Sequence, residues 1–369
     1  MQEFLKRTSG VPVENSMLID RDKITELNEE LQKYYKMKMS PIFILILLIT
    51  NFFTVLAEEE KSYITFEQMF EKIKQAGVKK MIAVAGADNL TTLQTARKCK
   101  ELGIADFILI GRIEKIYEIA NKNNVDISDF MIVDKRTDLE IASHAAKLVK
   151  MHQADIFYKG GLNPLITMKA IFEDELFKKN KLVSGLSIMD IPKHKKLLIL
   201  TDAHVKAYPT MNEKIVLINN AVEFAHSIGI KRPKVAVVAG TGNISKKMRE
   251  TQDALRLTRL NDIGQIQGCD VEGPLAFDIA VDPNSRLLEY LPTKKIKGDA
   301  DIILFHNFHH GNIAYNLLLH VVKARSATLL GGTRYPVVFA SRSGSQEYKF
   351  NSIICAIFFS EYLSSQGKK

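Results

Sequence analysis

The sequence contains no tryptophan and only three cysteines among its 369 residues. Cys99, Cys269 and Cys355 are too few and too far apart to form a disulfide framework or a C-x-x-C metal site. We therefore expect reduced thiols, as in a cytosolic protein, and no bound metal ion.

The chain also lacks the composition of a nucleic-acid-binding protein. Such proteins mass Lys and Arg on one helix or face, whereas here the basic residues are scattered. The net charge of +9 is uneven, because residues 1–65 carry −2 and the remainder carries +11. This excess fits an anionic ligand such as a nucleotide or phosphate. With 46% hydrophobic and 25% charged residues, the chain is long enough for two globular domains.

Residues 1–61 differ from the rest and include an apolar run, 41–57, that carries no charge. This run is marginal as a membrane span, since a spanning helix needs about 20 apolar residues. It could be a membrane anchor, an internal signal sequence, or sequence without a role. Lys36 and Lys38 precede it and an acidic EEE follows, a polarity that would place residues 62–369 outside the cytosol. Nothing in residues 62–369 is typical of a secreted domain, so we expect that the run does not act as a membrane span.

From Ser62 onward, apolar strands alternate with amphipathic helices. Thr65 and Gln68 form a capping box that predicts the start of the helix TFEQMFEKIKQAG. The predicted strands are KKMIAVAG, FILIG, FMIV, ADIFY, LLILT, KVAVVAG, ADIILF and PVVFA. Such alternation predicts an α/β fold with a mainly parallel sheet covered on both faces.

Ser341 and Arg342 directly follow the predicted strand PVVFA. Ligands of open α/β sheets bind at the carboxyl ends of strands, so both side chains are candidates for an active site. Arg342 would offer a charged fork for phosphate or carboxylate, and Ser341 a hydroxyl donor. Alternatively, the pair ends a strand in solvent. Lys159 and Gly160 follow the strand ADIFY, where they form either a phosphate cradle or an exposed turn.

Two further motifs are weaker. Gly240 and Gly242 in AGTGNISKK are typical of a dinucleotide-binding turn, but Ser245 replaces the third glycine, which favours a plain strand-to-helix turn. The histidines in FHNFHHGN have no nearby carboxylate or thiolate to complete a metal site.

Five segments occur in a fixed order: ADIFYKG, LLILTDAHVKAYPTMNEKIVLINNAVEFAHSIGIKRPKVA, GQIQGCDVEGPLAFDIAV, GNIAYNLL and GTRYPVVFASRSGSQEYKFNSI. On these segments, the chain from about Ser62 to Leu363 resembles the phosphate acetyl/butyryltransferase family, more closely its butyryl branch. The resemblance implies two α/β domains around a cleft, as in isocitrate/isopropylmalate dehydrogenases. Their expected bounds are 62–180 with 331–369, and 181–330.

The resemblance also implies the reaction, in which acyl-CoA and inorganic phosphate give acyl phosphate and CoA, with short acyl chains. CoA is then a substrate and no cofactor is needed. A homo-oligomer in the cytoplasm is expected. The alternatives are a catalytically weakened or regulatory CoA-binding protein and, third, an NAD(P)-dependent dehydrogenase.

The resemblance assigns roles to particular residues. The catalytic residues would be Ser341, Arg342 and Glu347. The residues expected to bind substrate are Lys159, Gly160, Lys169, Thr201, Asp202, Gly273, Pro274 and Asn312.

The chain departs from the family pattern at several of these positions. Lys169 replaces a phosphate-contacting arginine and lacks its bidentate fork. Gly185 replaces a histidine, and Gly242 replaces the glutamate of a butyryl-type motif. The acetyltransferase branch has an aspartate, proposed as the base, where this chain has Tyr348 beside Glu347.

Overall fold

One sheet runs through the part of the chain that the structure describes. The computed structural model describes residues 65–172, 177, 179, 182–289 and 293–366. The apolar run at 41–57 lies outside these residues. Within them, no helix is long and apolar enough to cross a membrane.

The strands are β1 Lys80–Ala85, β2 Ala105–Gly111, β3 Met131–Asp134, β4 Ile156–Lys159, β5 Ser184–Asp190, β6 Leu198–Thr201, β7 Lys234–Val238, β8 Asp270–Leu275, β9 Ile302–Leu304, β10 Arg325–Gly331 and β11 Val337–Val338. The α-helices are α1 Phe66–Gln75, α2 Leu90–Glu101, α3 Ile113–Lys122, α4 Asp138–Lys150, α5 Pro164–Phe172, α6 Met211–Ser227, α7 Arg249–Asp262, α8 Phe277–Val281, α9 Phe308–Asn316 and α10 Gln346–Gln366. A short 3-10 helix spans Arg286–Glu289, and a π-helical segment, Leu317–Val321, extends α9.

The α/β architecture expected from the sequence is confirmed, and each predicted strand is present. Helix α1 begins after the capping box of Thr65 and Gln68, in which each side chain bonds the other residue's backbone N–H. The prediction did not include β5, β8, β10 or α10. Glycine and serine interrupt the apolar pattern of β5, and β10 runs directly into the Gly331–Gly332 turn.

The sheet has 11 strands in the order β3-β2-β1-β4-β11-β10-β5-β6-β9-β7-β8. Pairs β1–β2, β1–β4 and β4–β11 are parallel, and so are β6–β9, β9–β7 and β7–β8. Strand β10 is antiparallel to β11 and β5, and β5 is antiparallel to β6. The two parallel groups therefore run in opposite directions. Their carboxyl ends lie at opposite edges, which we call the front edge (β1, β4, β11) and the rear edge (β6, β9, β7, β8).

The helices cover the two faces differently. One core cluster joins the sheet to α1, α2, α3, α6, α7 and α10, and it spans both parallel groups. On the other face, α4 and α5 cover the first group, while α8 and α9 cover the second. The division into domains 62–180 with 331–369, and 181–330, stays a prediction.

Candidate active site

The front edge is built around a close approach of two strand ends. Gly160 follows β4, and a Cβ atom there would lie 2.3 Å from the carbonyl oxygen of Gly86 after β1. The Gly161 N–H donates to the same carbonyl at 2.6 Å. Only glycine fits at position 160, because any side chain would overlap this backbone. The contact brings Lys159 beside the loop that leads from β1 into α2.

Lys159 is buried, with 2% of its surface exposed, so the exposed turn considered from sequence is not what forms. Its Nζ donates to the carbonyl of Ala340 at 3.0 Å, which ties β4 to the segment that carries Ser341. Burial, and then the charge of Arg342, lower the pKa of Lys159 to about 8. At neutral pH this side chain is a cation inside the protein.

A second buried lysine, Lys349 in α10, lies in the same site. It is 0% exposed, and its Nζ donates to Asn89 Oδ1 at 2.7 Å and to the carbonyl of Arg342 at 3.3 Å. The hydroxyls of Thr91 and Thr92 also contact it. Burial, and then the charge of Lys159, lower its pKa to about 8.

Lys349 was not predicted as a site residue. No sequence signal distinguishes it from a surface lysine; it stands out only by its burial, which is rare for an ionised lysine.

Asn89 links α2 to the same site. It is the N-cap of α2, where its Oδ1 accepts from the Thr92 N–H at 3.1 Å. Its Nδ2 donates to the carbonyl of Arg342 at 3.4 Å. The positive end of the α2 dipole therefore faces the loop of Ser341 and Arg342.

Ser341 and Arg342 are exposed at the front edge, where the sequence predicted them. The Ser341 hydroxyl lies 3.2 Å from that of Ser343. Among the described residues, no carboxylate lies within ion-pair distance of Arg342, Lys159 or Lys349. Three cations without a counter-ion, beside a helix N-terminus, form a site suited to an anion.

The residues that follow Ser341 separate in space. Glu347 is exposed in the first turn of α10, and its Oε1 lies 3.8 Å from Arg325 Nη1. Tyr348 packs under the loop instead, since a Cβ on Gly344 would lie 2.3 Å from its ring. Burial, and then Tyr315, raise the pKa of Tyr348, so this phenol stays protonated.

Five other predicted site residues belong to the second parallel group and its helices, and no hydrogen bond within the described residues joins them to this group: Thr201, Asp202, Gly273, Pro274 and Asn312. Thr201 ends β6 and is buried, and its hydroxyl has no hydrogen-bond partner among the described residues. The Asp202 carboxylate accepts the backbone N–H groups of Gly185, His204, Val205 and Lys206 at 2.7–3.2 Å.

Burial raises the pKa of Asp202 although these four N–H bonds favour its charged form. This carboxylate holds its own loop together. Asn312 in α9 contacts the same loop, with Nδ2 donating to the Ala203 carbonyl at 3.2 Å.

Gly273 and Pro274 lie inside β8 and are buried. A Cβ on Gly273 would lie 2.6 Å from the Val237 carbonyl and 3.1 Å from Ala254 Cβ. Glycine is therefore needed at position 273 for β8 to pack against β7 and α7.

A series of contacts between His204, Tyr315 and Tyr348 connects the two edges. The ring of His204 lies 4.8 Å from that of Tyr315 in α9, and Tyr315 in turn neighbours Tyr348 beside Ser341. His204 Nε2 is 2.6 Å from the Ser187 hydroxyl, and burial lowers the pKa of His204 to about 4. It stands against Gly185, where a Cβ would come within 2.8 Å of the His204 Cβ. The glycine that replaces the family histidine thus makes room for another histidine.

Three remaining predictions concern exposed or separate positions. Lys169 is exposed on α5. The Gly240–Gly242 loop precedes α7, and Ser245 Oγ accepts from the Lys247 N–H at 3.2 Å, as in a local turn. His306 contacts Lys214 Nζ at 2.7 Å, whereas His309 contacts Tyr208 at 3.0 Å. No group of metal-ligating side chains forms within the described part of the chain.

Comparisons with known proteins agree with this architecture. The phosphate acetyl/butaryl transferase family matches residues 64–159 and 141–357. The chain is 38% identical over 293 residues to a phosphate butyryltransferase of Clostridium acetobutylicum, covering 79% of this chain and 97% of that protein. It is 30% identical over 295 residues to a phosphate acetyltransferase of Thermotoga maritima, covering 79% and 99%.

A solved structure shows the same fold. A branched-chain phosphotransacylase from Enterococcus faecalis matches with a TM-score of 0.68 and 27% identity, over 76% of this chain and 99% of that one. A 4-hydroxythreonine-4-phosphate dehydrogenase from Salmonella typhimurium shares the fold alone, with a TM-score of 0.51 and 12% identity. On the family match and the extent of these identities, the chain belongs to the phosphate acetyl/butaryl transferase family.

Proposed function

We propose that this protein transfers a short-chain acyl group between CoA and inorganic phosphate, and that the reaction takes place at the front edge. The observation that carries the proposal is the convergence of Arg342, Lys159 and Lys349 on one loop, with no carboxylate of the described residues close enough to neutralise them. Family membership supports the reaction type.

In the proposed reaction, an oxygen of hydrogen phosphate attacks the thioester carbonyl carbon, a C–O bond forms and the C–S bond breaks. The phosphate proton passes to the leaving thiolate, so the products are acyl phosphate and CoA thiol. Atoms and charge balance without a separate protein base. The enzyme's main task is then to hold the phosphate dianion and to stabilise the oxyanion of the tetrahedral state.

The residues present suit these tasks. Arg342 offers its planar fork to two phosphate oxygens, with Lys159 adding positive charge from below. The hydroxyl of Ser341 and the protonated phenol of Tyr348 are hydrogen-bond donors on either side of this loop. Because Tyr348 stays protonated where the acetyltransferase branch has its aspartate, it can donate but cannot act as the base. Glu347 remains our proposal for the group that carries this proton: it would give the proton to the leaving thiolate in this direction and take it from the CoA thiol in the reverse direction.

A coupled assay of CoA thiol release tests the function. We expect phosphate-dependent release from butyryl-CoA, and acyl chains of two to six carbons define the preferred length. If no acyl-CoA in this range releases CoA in the presence of phosphate, the transferase proposal fails. Binding of butyryl-CoA without turnover would instead indicate the regulatory alternative, and saturable NADH binding would indicate the dehydrogenase.

Substitution of Lys169 tests the helix that follows the Gly160 turn. If α5 contributes to phosphate binding, Lys169→Arg restores a bidentate fork and should lower the KM for phosphate several-fold. The measurement is a phosphate saturation curve at fixed butyryl-CoA, with Lys150→Arg on α4 as the control. An unchanged KM would show that position 169 does not face the phosphate.

We also propose a cytoplasmic location, because CoA thioesters and phosphate are the substrates. A homo-oligomer remains our expectation, and sedimentation of the purified protein in an analytical ultracentrifuge would measure the oligomeric state.

A further inference from the structure

We infer that Lys349 is a positioning residue that fixes the loop of Ser341 and Arg342 for phosphate binding, acting as the counterpart of Lys159. This inference rests on the proposed function and adds a residue to its machinery. Nothing in the sequence motif by itself distinguishes Lys349 from a surface lysine, and its role follows from its contacts.

The two lysines hydrogen-bond to the loop on both sides of Ser341. Lys159 Nζ donates to the carbonyl of Ala340 at 3.0 Å, and Lys349 Nζ donates to the carbonyl of Arg342 at 3.3 Å. Because the carbonyls of Ala340 and Arg342 are held inward, the side chains of Ser341 and Arg342 face outward and are exposed. These two hydrogen bonds thus set the direction in which the hydroxyl and the guanidinium point.

Lys349 also couples this loop to α2. Its Nζ donates to Asn89 Oδ1 at 2.7 Å, and Asn89 Nδ2 in turn donates to the Arg342 carbonyl at 3.4 Å. One lysine therefore joins three elements, namely α10, the N-terminus of α2 and the loop. Its removal should release the loop from the helix N-terminus that also favours an anion.

A purely structural role would not require a charge at this position. A neutral amide could satisfy the same oxygen atoms, whereas a buried ammonium group is costly unless it is paired. Here the charge of Lys159 acts on Lys349 instead, and this repulsion contributes to the lowered pKa of Lys349. Two buried cations that pair with no carboxylate of the described residues repel each other, and a bound phosphate dianion would relieve this cost.

The test compares Lys349→Met and Lys349→Arg with the unchanged protein. We expect Lys349→Met to lower kcat/KM for phosphate about 100-fold, because a misplaced catalytic loop costs about that much. The effect should fall mainly on the KM for phosphate, with a smaller change in the KM for butyryl-CoA. Lys349→Arg keeps the charge and should recover part of the loss.

Ser352→Ala is the matched control for loss of stability. Ser352 lies in α10 three residues further on, is 0% exposed, and accepts from the Thr328 N–H at 3.0 Å. We expect this variant to lower the melting temperature while leaving the KM for phosphate within about twofold, since the Ser352 hydroxyl bonds backbone groups of β10 and α10 and none of the loop of Ser341.

A double-mutant cycle that combines Lys349→Met with Arg342→Ala measures the coupling between the two residues, a quantity that a loss of stability alone would not change. If Lys349 acts by positioning Arg342, Lys349→Met should cost much less in the Arg342→Ala background than in the unchanged protein. Additive losses, or a folded Lys349→Met variant with an unchanged KM for phosphate, would overturn the inference.

Calorimetry of inorganic phosphate binding separates this inference from the proposed function. If phosphate binds and both Lys349→Met and Arg342→Ala weaken binding, the positioning role stands even when no acyl transfer is found. If only Arg342→Ala weakens binding, the positioning role is overturned while the proposed function stands.

Discussion

Arg342→Ala is expected to lower kcat/KM for phosphate about 100-fold, and to do so without unfolding the protein. Removing one donor aimed at developing charge in a catalytic site typically costs about 100- to 1000-fold. The Arg342 side chain is exposed and forms no ion pair within the described residues, so its removal leaves no buried group unsatisfied. Phosphate saturation kinetics at fixed butyryl-CoA measure the effect.

Arg136→Ala is the matched control for the loss of one exposed arginine. Arg136 is 68% exposed and pairs with Glu114 and Asp134 at 3.3 and 3.4 Å, away from the loop of Ser341. Surface pairs of this kind contribute at most about 1 kcal/mol, so kinetics should be unchanged. Equal behaviour of the two variants would show that Arg342 merely ends a strand in solvent.

Phosphate binding is expected to weaken strongly as the pH rises through about 8. The pKa values of Lys159 and Lys349 are both lowered to about 8 by burial, so both cations lose their charge there instead of near the ordinary lysine pKa. Inorganic phosphate is already a dianion above pH 8, which leaves the protein as the source of the change. Loss of two site cations should raise the KM for phosphate about tenfold or more between pH 7.5 and 9.5.

The stability of the phosphate-free protein should respond to pH in the opposite direction. Above about pH 8 the folded protein has released protons that the unfolded chain still binds, because its lysines titrate near their ordinary pKa. Stability contributed by these groups therefore increases with pH between about 8 and 10. Melting curves with and without phosphate should converge over this window. A phosphate-induced shift in melting temperature that persists at pH 10 would contradict the assignment of these lysines to the site.

Much of the fold could be predicted from periodicity. Capping residues marked the beginning of α1, and alternating apolar runs marked β1 to β4, β6, β7, β9 and β11. Strands β5 and β10 were missed because serine, threonine and glycine fill positions whose burial depends on neighbouring strands. These two strands are also the ones that reverse the direction of the sheet.

The candidate site was likewise predictable in part from local sequence and in part only from the pairing of strands. The sequence by itself determined that Lys159, Gly160, Ser341 and Arg342 follow strands, and parallel pairing of β4 with β11 brings them together at the front edge. Only the tertiary structure decided that Thr201 and Asp202 end at the rear edge, because strand direction is set by pairing between distant segments.

The tertiary structure alone also decided that Lys349 is buried against Asn89 and Arg342. Its neighbours come from segments about 260 residues apart in the chain, and no pattern within a helix encodes which of them will enclose a charge. Local sequence fixes where helices and strands form, whereas the electrostatics of a site depend on the groups that folding brings together.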